Sequence, residues 1–387
     1  MQQNGVYLDY AASTPIDERV LEAMLPYFTT EFGNPSSIHR WGQRAETAVE
    51  DARESIAAIM DCAPEEIVFT SCGSESDNLA VRGLAMYAKN TRGARHILIS
   101  PVEHDAVSKT AHNLAERFGF DLEFLPVDED GRVSPNDLAI RIRDDTALVS
   151  IIYANNEIGT INPIAELADI CRRREIPFHT DAVQAASQLD ITVNHLNIDL
   201  LSLGAHKFYG PKGVGALYIR SGNTIWAQQT GGSQEFSLRA GTQNVPLIVG
   251  MARALEITQS ESDEHNKKYS RLRDHLLGAL PEIIPDTQIS GHLSSRLPNH
   301  ASFLFKGIDG NQLLGVLDAA GFGCSSGSAC KTGDPAPSKV LEAIGLPAIW
   351  ALGSLRVTVG RPTREADIQR LVQILPEAVE RLRKISA

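Results

Sequence analysis

Lys207 is the residue of this chain whose surroundings most clearly indicate covalent chemistry. It lies within the stretch from Ser202 to Gly213, where an apolar run ends and glycine and proline then turn the chain. Residues 198–203 are typical of a short buried strand, so the lysine is expected just beyond the carboxyl end of that strand, where open α/β sheets bind ligands. An amine in this place can anchor a ligand covalently, although a surface lysine in a turn is the alternative.

Polar side chains follow several other predicted strands. Gly73 and Ser74 come after the first strand and open a helix, where unpaired N–H groups and the helix dipole favour a phosphate, although Ser74 could equally be a plain helix cap. His104 follows the second strand, and an imidazole there can stack on a planar ligand or carry a proton. Asn155 and Asp181 follow two later strands and offer an amide and an acid. Parallel strands end at one edge of a sheet, so all these groups are expected near the lysine.

This combination of groups suits pyridoxal phosphate. A lysine can form a Schiff base with its aldehyde, an acid can pair with the pyridinium nitrogen, an imidazole can cover the ring, and a helix N-terminus can bind the phosphate. The sequence therefore predicts pyridoxal 5'-phosphate as the cofactor. It predicts no metal site, because its 5 cysteines show no paired spacing for zinc.

The elements that must position these groups alternate along the chain. Strand patterns recur over residues 67–219 with helical patterns between most of them, which predicts a mainly parallel sheet covered by helices. Seven strands are expected, at 67–70, 96–100, 122–126, 148–153, 177–180, 198–203 and 215–219. Ser36 or Ser37 is expected to cap the helix that runs through residues 45–59.

After Pro281 the pattern changes to an α+β arrangement. Its elements are strands near 302–305 and 355–359 and a final amphipathic helix at 366–384. The predicted fold class is therefore α/β, with a large domain that contains the seven-stranded sheet and a smaller α+β domain. The predicted boundaries are 15–258 for the large domain, and 1–14 together with 259–387 for the small one.

Charge and apolar content limit the classes of function. The chain has 387 residues and a formal net charge of -12 at pH 7, whereas direct nucleic-acid binding needs a basic surface. No apolar run approaches the roughly 20 residues that span a membrane, and the first residues lack a signal-peptide pattern, so a cytoplasmic location away from membranes is expected. The odd number of cysteines argues against a disulfide framework. Cys62, Cys72 and Cys171 are interpreted as packing residues, and Cys324 as structural.

Two motifs carry a family resemblance. Residues 179–185, with Asp181 and Gln184, and residues 205–213, with Lys207, resemble those of fold-type-I pyridoxal-phosphate enzymes of the cysteine desulfurase class. The resemblance runs from Tyr7 to Arg356 and is closest to the NifS and IscS types.

A third motif separates this class from other enzymes of the fold. Residues 325–330 are small and end in Cys330, and the sequence continues with glycine and proline to Pro337. Such a run is expected to form a mobile loop at about 323–337, which would expose the cysteine and let it travel. The resemblance implies that Cys330 is the nucleophile that receives sulfur.

The resemblance also implies a role for each group around the cofactor ring. Lys207 would hold the cofactor covalently, Asp181 would keep the ring nitrogen protonated, and His104 would stack on the ring and exchange protons with thiols. Gln184 would bind the ring hydroxyl, with Asn155 near the same oxygen and the substrate carboxylate.

The phosphate and the substrate have their own implied partners. Gly73, Ser74 and His206 would hold the phosphate together with Thr242 from a neighbouring subunit, so a homodimer is expected. Arg356 would bind the substrate carboxylate, for which a planar guanidinium is suited. Four features depart from the pattern of many relatives: Gly204 replaces a serine near the phosphate, Phe236 replaces a frequent arginine, Cys72 replaces a usual glycine, and residues 331–337 differ from the common loop sequence.

The activity implied by the resemblance is conversion of L-cysteine to L-alanine, with transfer of sulfur to Cys330 as a persulfide. The sulfur would pass to an acceptor or scaffold protein, by default in iron–sulfur cluster assembly. A lyase acting on selenocysteine or cystine is one alternative, in which Cys330 would be dispensable. A desulfurase dedicated to tRNA thiolation or DNA phosphorothioation is another. A non-enzymatic regulator is disfavoured, because no basic DNA-binding module is evident in the sequence.

Overall fold

A computed structural model describes residues 5–327 and 337–386 of the chain. Cys330 and the rest of residues 328–336 lie outside the described residues. The strands are β1 Val6–Tyr7, β2 Ile67–Thr70, β3 His96–Ile99, β4 Asp121–Phe124, β5 Thr146–Ser150, β6 Phe178–Asp181, β7 Leu200–Gly204, β8 Gly215–Ile219, β9 Thr287–Ile289, β10 His300–Phe305, β11 Phe322–Gly323 and β12 Ser354–Thr358. The helices are α1 Glu18–Met24, α2 Pro26–Thr29, α3 Arg40–Met60, α4 Gly73–Arg92, α5 Asp105–Phe118, α6 Pro135–Arg141, α7 Ile164–Arg173, α8 Val193–Leu196, α9 Val245–Ser260, α10 Ser262–Ile283, α11 Gly310–Ala319, α12 Lys339–Ala343, α13 Ala348–Ala351 and α14 Glu365–Ser386.

A seven-stranded sheet forms the larger part of the described fold. Its strand order is β2-β8-β7-β6-β5-β3-β4, and β8 is antiparallel to both of its neighbours while the other pairs are parallel. Strands β5, β6 and β7 are buried along their whole length, as expected where helices cover both faces of a parallel sheet. The predicted α/β class and mainly parallel seven-stranded sheet are therefore confirmed.

The direction of the strands explains where a site can form. Because β8 is antiparallel to both β2 and β7, those two strands run in the same direction. The loops that follow β2, β3, β5, β6 and β7 consequently open at one edge of the sheet. Side chains from segments far apart in sequence meet there.

A second, smaller core lies around an antiparallel sheet with the order β12-β10-β9. Its buried residues come from α10, α11, α14 and these strands, and Leu8 from the start of the chain packs with them. The first segment also pairs with this part, since Val6 and Tyr7 of β1 lie alongside β11. Strand β9 was not predicted, because its three residues are too short for a recognisable pattern. The domain boundaries remain a prediction.

The predicted serine cap of helix α3 is wrong. The helix begins at Arg40, and the cap is His39, whose Nδ1 accepts a hydrogen bond from the Gly42 amide at 3.2 Å. The serines belong instead to a separate turn, which the Ser37 amide closes by donating to the Asn34 carbonyl at 3.0 Å. Within the described ranges, no helix is both long and apolar enough to cross a membrane.

Candidate active site

A cavity of about 290 Å³ lies at the sheet edge to which the strands β2, β3, β5, β6 and β7 point. The predicted site residues that line it are Gly73, Ser74, His104, Asp181, Gln184, His206, Lys207 and Arg356. Cys72, interpreted from sequence as a packing residue, also lines the cavity, because it is the last residue before helix α4. The structure thus brings together most of the groups that the sequence predicted to converge.

Lys207 follows β7 in a short 3₁₀ turn, and its amine points back to the first segment of the chain. Its Nζ donates hydrogen bonds to the Ala11 carbonyl at 2.6 Å and to the Ala12 carbonyl at 2.9 Å. Burial and the positive charge of Arg356 lower the pKa of the amine to about 8, although the carboxylate of Asp181 opposes them. A lysine in this state supplies a neutral, nucleophilic amine far more readily than an ordinary one.

Asp181 and Asp77 place two carboxyl groups at the inner wall of the cavity. Asp181 ends β6 and accepts a hydrogen bond from the Val183 amide at 2.9 Å. Asp77 lies one turn into α4, and its buried Oδ1 finds no hydrogen-bond donor among the described residues. Burial raises the pKa of both carboxyls, most strongly for Asp77, and the nearby charge of Asp181 adds to the effect there. A cationic N–H donor, such as a protonated pyridine nitrogen, would meet the need of this pair.

Asp77 was not predicted from the sequence, because it lies inside helix α4 and not at the end of a strand. The signal that could have found it is its spacing of four from Gly73, since residues i and i+4 lie on one face of a helix. Ligand atoms of Asp77, His104 and Asp181 lie within 4.8 Å of one another, a spacing that would also suit a metal ion. A metal ion would leave Lys207 and the helix N-terminus without a role, so a larger organic cation fits the cavity better.

His104 is held in one orientation by its position at the start of α5. Its Nδ1 accepts a hydrogen bond from the Ala106 amide at 3.1 Å, so in the neutral ring the hydrogen is on Nε2. The ring is exposed to solvent rather than packed in the core. The imidazole is therefore available to a ligand face and to incoming thiols.

The part of the cavity beside the start of α4 is suited to a phosphate. Helix α4 begins at Gly73, and a side chain there would lie only 2.6 Å from a methyl carbon of Val183, so the close approach requires glycine. Burial lowers the pKa of His206 to about 4, and Lys207 and Lys212 add to this shift, so its ring is neutral near pH 7. A neutral ring can still donate a hydrogen bond to a phosphate oxygen.

Gly204, the first departure from the family pattern, borders this phosphate end. A Cβ at this position would lie 3.4 Å from the amide nitrogen of Gly73, so β7 passes very close to the start of α4. No side-chain hydroxyl is present here. The amides at the helix start, the Ser74 hydroxyl and the neighbouring imidazole would contact an anion bound here.

Arg356 projects from β12 and joins three distant segments. Its Nη2 donates to Asp9 Oδ1 at 2.7 Å and its Nη1 donates to the Asn156 carbonyl at 2.9 Å. Its buried Nε has no acceptor among the described residues. A carboxylate in the cavity could accept a hydrogen bond from this N–H group, while the contact with Asp9 would keep the guanidinium in position.

Backbone pairing also connects Arg356 to the segment that leads to Cys330. The Arg356 amide donates to the Ser325 carbonyl at 2.7 Å, and the Ser325 amide donates back at 3.2 Å. Gly323 is part of β11. The start of the loop predicted at 323–337 is therefore paired with two neighbours, because Gly323 lies alongside Tyr7 of β1 and Ser325 bridges to Arg356 of β12.

Two predicted residues do not line the cavity. Asn155 is fully buried, with its Nδ2 donating to the Val102 carbonyl at 2.8 Å and its Oδ1 accepting from the amides of Glu157 and Ile158. The side chain thus shapes its own loop, and its contact with cofactor and substrate stays a prediction. The neighbouring Asn156 lines the cavity instead. Thr242 lies on the surface of its own chain, beside a different pocket.

Comparisons with known proteins agree with this geometry. Residues 6–371 match the family described as Aminotransferase class-V. The chain is 48% identical over 381 residues to a cysteine desulfurase IscS of Dictyoglomus turgidum, covering 98% of this chain and 96% of the relative. A solved NifS-like protein matches with a TM-score of 0.91 and 37% identity over 98% of this chain and 100% of its own. A structure described as SspA in complex with cysteine matches with a TM-score of 0.77 and 36% identity, covering 91% of this chain and 98% of its own. The chain therefore belongs to the aminotransferase class-V family and, within it, to the cysteine desulfurases of the IscS and NifS type.

Proposed function

We propose that this chain converts L-cysteine into L-alanine and transfers the sulfur to Cys330 as a persulfide, with pyridoxal phosphate as its cofactor. The observation that carries the proposal is the convergence of Lys207, Asp181 and Arg356 on one cavity. They supply an amine for attachment, an acid for a ring nitrogen and a guanidinium for a carboxylate. A structural relative described in complex with cysteine supports the choice of substrate.

The residues present fit the cofactor at each of its polar ends. Asp181 and the unsatisfied Asp77 would hold the ring nitrogen, Gly73 and His206 would hold the phosphate, and Lys207 would bind the aldehyde carbon. When bound, pyridoxal phosphate acts as an electron sink that weakens bonds to the Cα of an amino acid.

The remaining steps use the chain's own groups. Arg356 would orient the substrate through its carboxylate, and the amine of Lys207 would take the Cα proton, which a pKa near 8 makes feasible at neutral pH. The exposed ring of His104 would accept a proton from a thiol. The Cys330 thiolate would then attack the substrate sulfur, so that an S–S bond forms as the C–S bond breaks. The electron pair of the broken bond stays with the carbon fragment, which takes up a proton as it becomes alanine. Two thiols of an added reductant would release the sulfur as sulfide and leave a disulfide.

The ends of the loop that carries Cys330 are close to the cavity. The Ser338 hydroxyl donates a hydrogen bond to Glu157, and the Gly327 amide donates to the Ser354 hydroxyl at 3.1 Å. Glu157 directly follows Asn156, which lines the cavity. Gly327 and Ser338 are the described residues nearest to Cys330 in sequence for which these contacts are seen.

Product analysis tests this function. Wild-type enzyme loaded with pyridoxal phosphate is expected to form sulfide and alanine in equal amounts from L-cysteine and a dithiol reductant. Sulfide accompanied by pyruvate instead of alanine would contradict the proposal and favour a lyase. The same assay with cystine and selenocysteine shows which amino acid is preferred.

Attachment of the cofactor is expected to depend on pH with a midpoint near 8. Only the neutral amine attacks an aldehyde, and burial lowers the pKa of Lys207 from 10.5 to about 8. The rate of attachment should therefore rise from pH 7 to about pH 9 and then become constant. With an ordinary lysine, whose pKa is near 10.4, the rate would continue to rise above pH 9. Absorbance of the bound cofactor after mixing with apoprotein measures this rate. A rate that still increases about tenfold per pH unit above pH 9 would show that the amine is not perturbed.

A homodimer is the proposed assembly, and an exposed apolar stripe supports it. Leu21, Leu25, Phe28 and Phe32 follow a spacing of four, three and four, and Phe28 and Phe32 are 56% and 69% exposed. Phe32 lines one surface pocket together with Thr242, the residue predicted to enter the neighbouring site. A second copy of the chain would cover the stripe and bring this segment to its cavity.

Replacing Phe28 by aspartate is expected to convert the dimer into monomers, because a charge would be buried in an apolar interface. Sedimentation velocity at micromolar concentration measures the change, and cofactor affinity should fall with it. Ile140→Asp, on the exposed face of α6, is the matched control and should remain dimeric. A fully active Phe28→Asp monomer would reject the shared site.

The proposed destination of the sulfur is iron–sulfur cluster assembly through an acceptor or scaffold protein. Dedicated tRNA thiolation and DNA phosphorothioation are the alternatives. Transfer of labelled sulfur from the enzyme to a purified acceptor of each class would distinguish them. The proposal includes the cytoplasmic location expected from the sequence.

A further inference from the structure

A buried ion pair lies beneath the surface segment that carries Thr242. Arg53 of α3 and Glu235 are 2% and 4% exposed. Arg53 Nη1 donates to Glu235 Oε2 at 2.9 Å, and Nη2 donates to Oε1 at 3.0 Å. Because removing two charges from water costs free energy, a buried ion pair adds little to stability, and it fixes the geometry of the groups around it.

The pair is enclosed by aromatic rings and fixed to the large sheet. The guanidinium of Arg53 lies 4.8 Å from the centre of the Phe69 ring and 5.0 Å from that of Phe236. The Phe69 amide donates to Glu235 Oε2 at 2.8 Å. Phe236 occupies a position where arginine is frequent in relatives. An arginine there would be repelled by Arg53, whereas the Phe236 ring attracts the Arg53 guanidinium.

The backbone at this point is held in an unusual conformation. Glu235, Phe236 and Ser237 have φ angles of 46°, 57° and 66°, so three successive residues with side chains are left-handed. Each such residue is unfavourable and persists only where surrounding contacts impose it. The ion pair and the rings supply those contacts.

This turn holds both neighbours of Thr242. The Gln243 side chain donates from Nε2 to Glu235 Oε1 at 2.6 Å. On the other side, the Gly241 amide donates to Gln234 Oε1 at 3.1 Å. The position of Thr242 is therefore set by Glu235 and the residue before it.

The same segment is also tied to the phosphate end of its own chain's cavity. Arg239 Nε donates to Glu75 Oε1 at 2.9 Å, and the second oxygen of Glu75 accepts from the Ser71 amide at 2.6 Å. Glu75 directly follows Ser74, which lines the cavity. The segment thus extends from one cavity to the surface that a second copy would cover.

We propose that Glu235, held by Arg53, is a positioning residue that acts through Gln243 to fix Thr242 for the phosphate site of a second copy of this chain. The inference rests on the proposed function, because it requires a phosphate-bearing cofactor and a shared site. Its immediate consequence is that Gln243, although it does not line its own chain's cavity, controls how tightly the partner copy binds pyridoxal phosphate.

Gln243→Ala is the first test, because Gln243 is only half-buried and its removal spares the ion pair. The dissociation constant of pyridoxal phosphate, followed by protein fluorescence, should rise about tenfold, as for the loss of a hydrogen bond to a charged group. The dimer dissociation constant and the unfolding temperature should not change. Gln228→Ala removes an equivalent exposed amide and is expected to bind like wild type. Wild-type affinity in Gln243→Ala would overturn the inference.

A double-variant comparison shows whether Gln243 acts through Thr242. Thr242→Val alone should weaken cofactor binding, and adding Gln243→Ala to it should cause no further loss. Independent, additive losses would overturn the inference. If Thr242→Val leaves affinity unchanged, the inference also fails, while formation of alanine and sulfide would still test the proposed reaction separately.

Mixed dimers decide whether the effect crosses between copies. Lys207→Ala and Gln243→Ala chains with different tags are coexpressed, and the dimer that carries both tags is isolated. In this mixed dimer, the one site that keeps Lys207 is in the Gln243→Ala chain. The Thr242 that would enter this site belongs to the Lys207→Ala chain, in which Gln243 is intact. This dimer should bind one cofactor covalently with wild-type affinity. Binding as weak as in the Gln243→Ala homodimer would show that the effect stays within one chain and would overturn the proposal.

Discussion

Replacing Cys330 by serine is expected to reduce sulfide formation from L-cysteine by about 10³-fold or more, because the thiolate is the nucleophile that accepts the substrate sulfur. The side chains of the described cavity, which would bind cofactor and substrate, remain intact in this variant. The spectral change on adding L-cysteine to the loaded enzyme should therefore persist. Sulfide and alanine assays with parallel absorbance spectra measure the two effects.

Cys324→Ser is the matched control for this experiment. Burial raises the pKa of Cys324 to about 12, so its thiol is protonated at neutral pH and is a poor nucleophile. This variant should retain nearly wild-type sulfide formation. If Cys330→Ser instead kept full activity, the persulfide mechanism would be rejected, and the lyase alternative would take its place.

Replacing Lys207 by alanine is expected to remove both covalent cofactor attachment and activity, the latter by at least about 10³-fold. The side chain provides the attachment point and the base for the Cα proton, and loss of a general base alone costs roughly 10² to 10⁴-fold. Gel filtration followed by absorbance measures retained cofactor, and alanine formation measures turnover. Lys212→Ala, which removes an exposed lysine five residues away, should change neither quantity by more than about twofold. Covalent retention of cofactor in the Lys207→Ala protein would show that another amine is the anchor.

The large sheet and most of the site could be predicted from sequence for the same physical reason. Buried parallel strands are short apolar runs bounded by turns, and the candidate functional residues lie at or shortly after the ends of these runs. Asp181 ends β6, Lys207 lies three residues after the end of β7, and His104 lies five residues after the end of β3. Their convergence needed no information beyond the rule that ligands bind at the carboxyl ends of the strands.

The remaining features depend on contacts that leave no local pattern. Asp77 lies within a helix and reaches the cavity only because α4 packs over the sheet edge. The burial of Asn155 follows from how its side chain satisfies the backbone amides of its own loop. Asp9 meets Arg356 only because the first segment crosses to the smaller core. Sequence spacing cannot distinguish these arrangements from their neighbours.

The contact between Asp9 and Arg356 has a consequence for biosynthesis. These residues are 347 positions apart, whereas Lys207 and Asp181 are within 26 residues of each other. Domains generally fold from the N-terminus as the ribosome extends the chain, so the large sheet and its lysine can form before the arginine has been translated. A nascent chain could then acquire its cofactor but could not yet orient an amino acid by its carboxylate. Carboxylate binding by the arginine therefore depends on a segment that is translated 149 residues after Lys207.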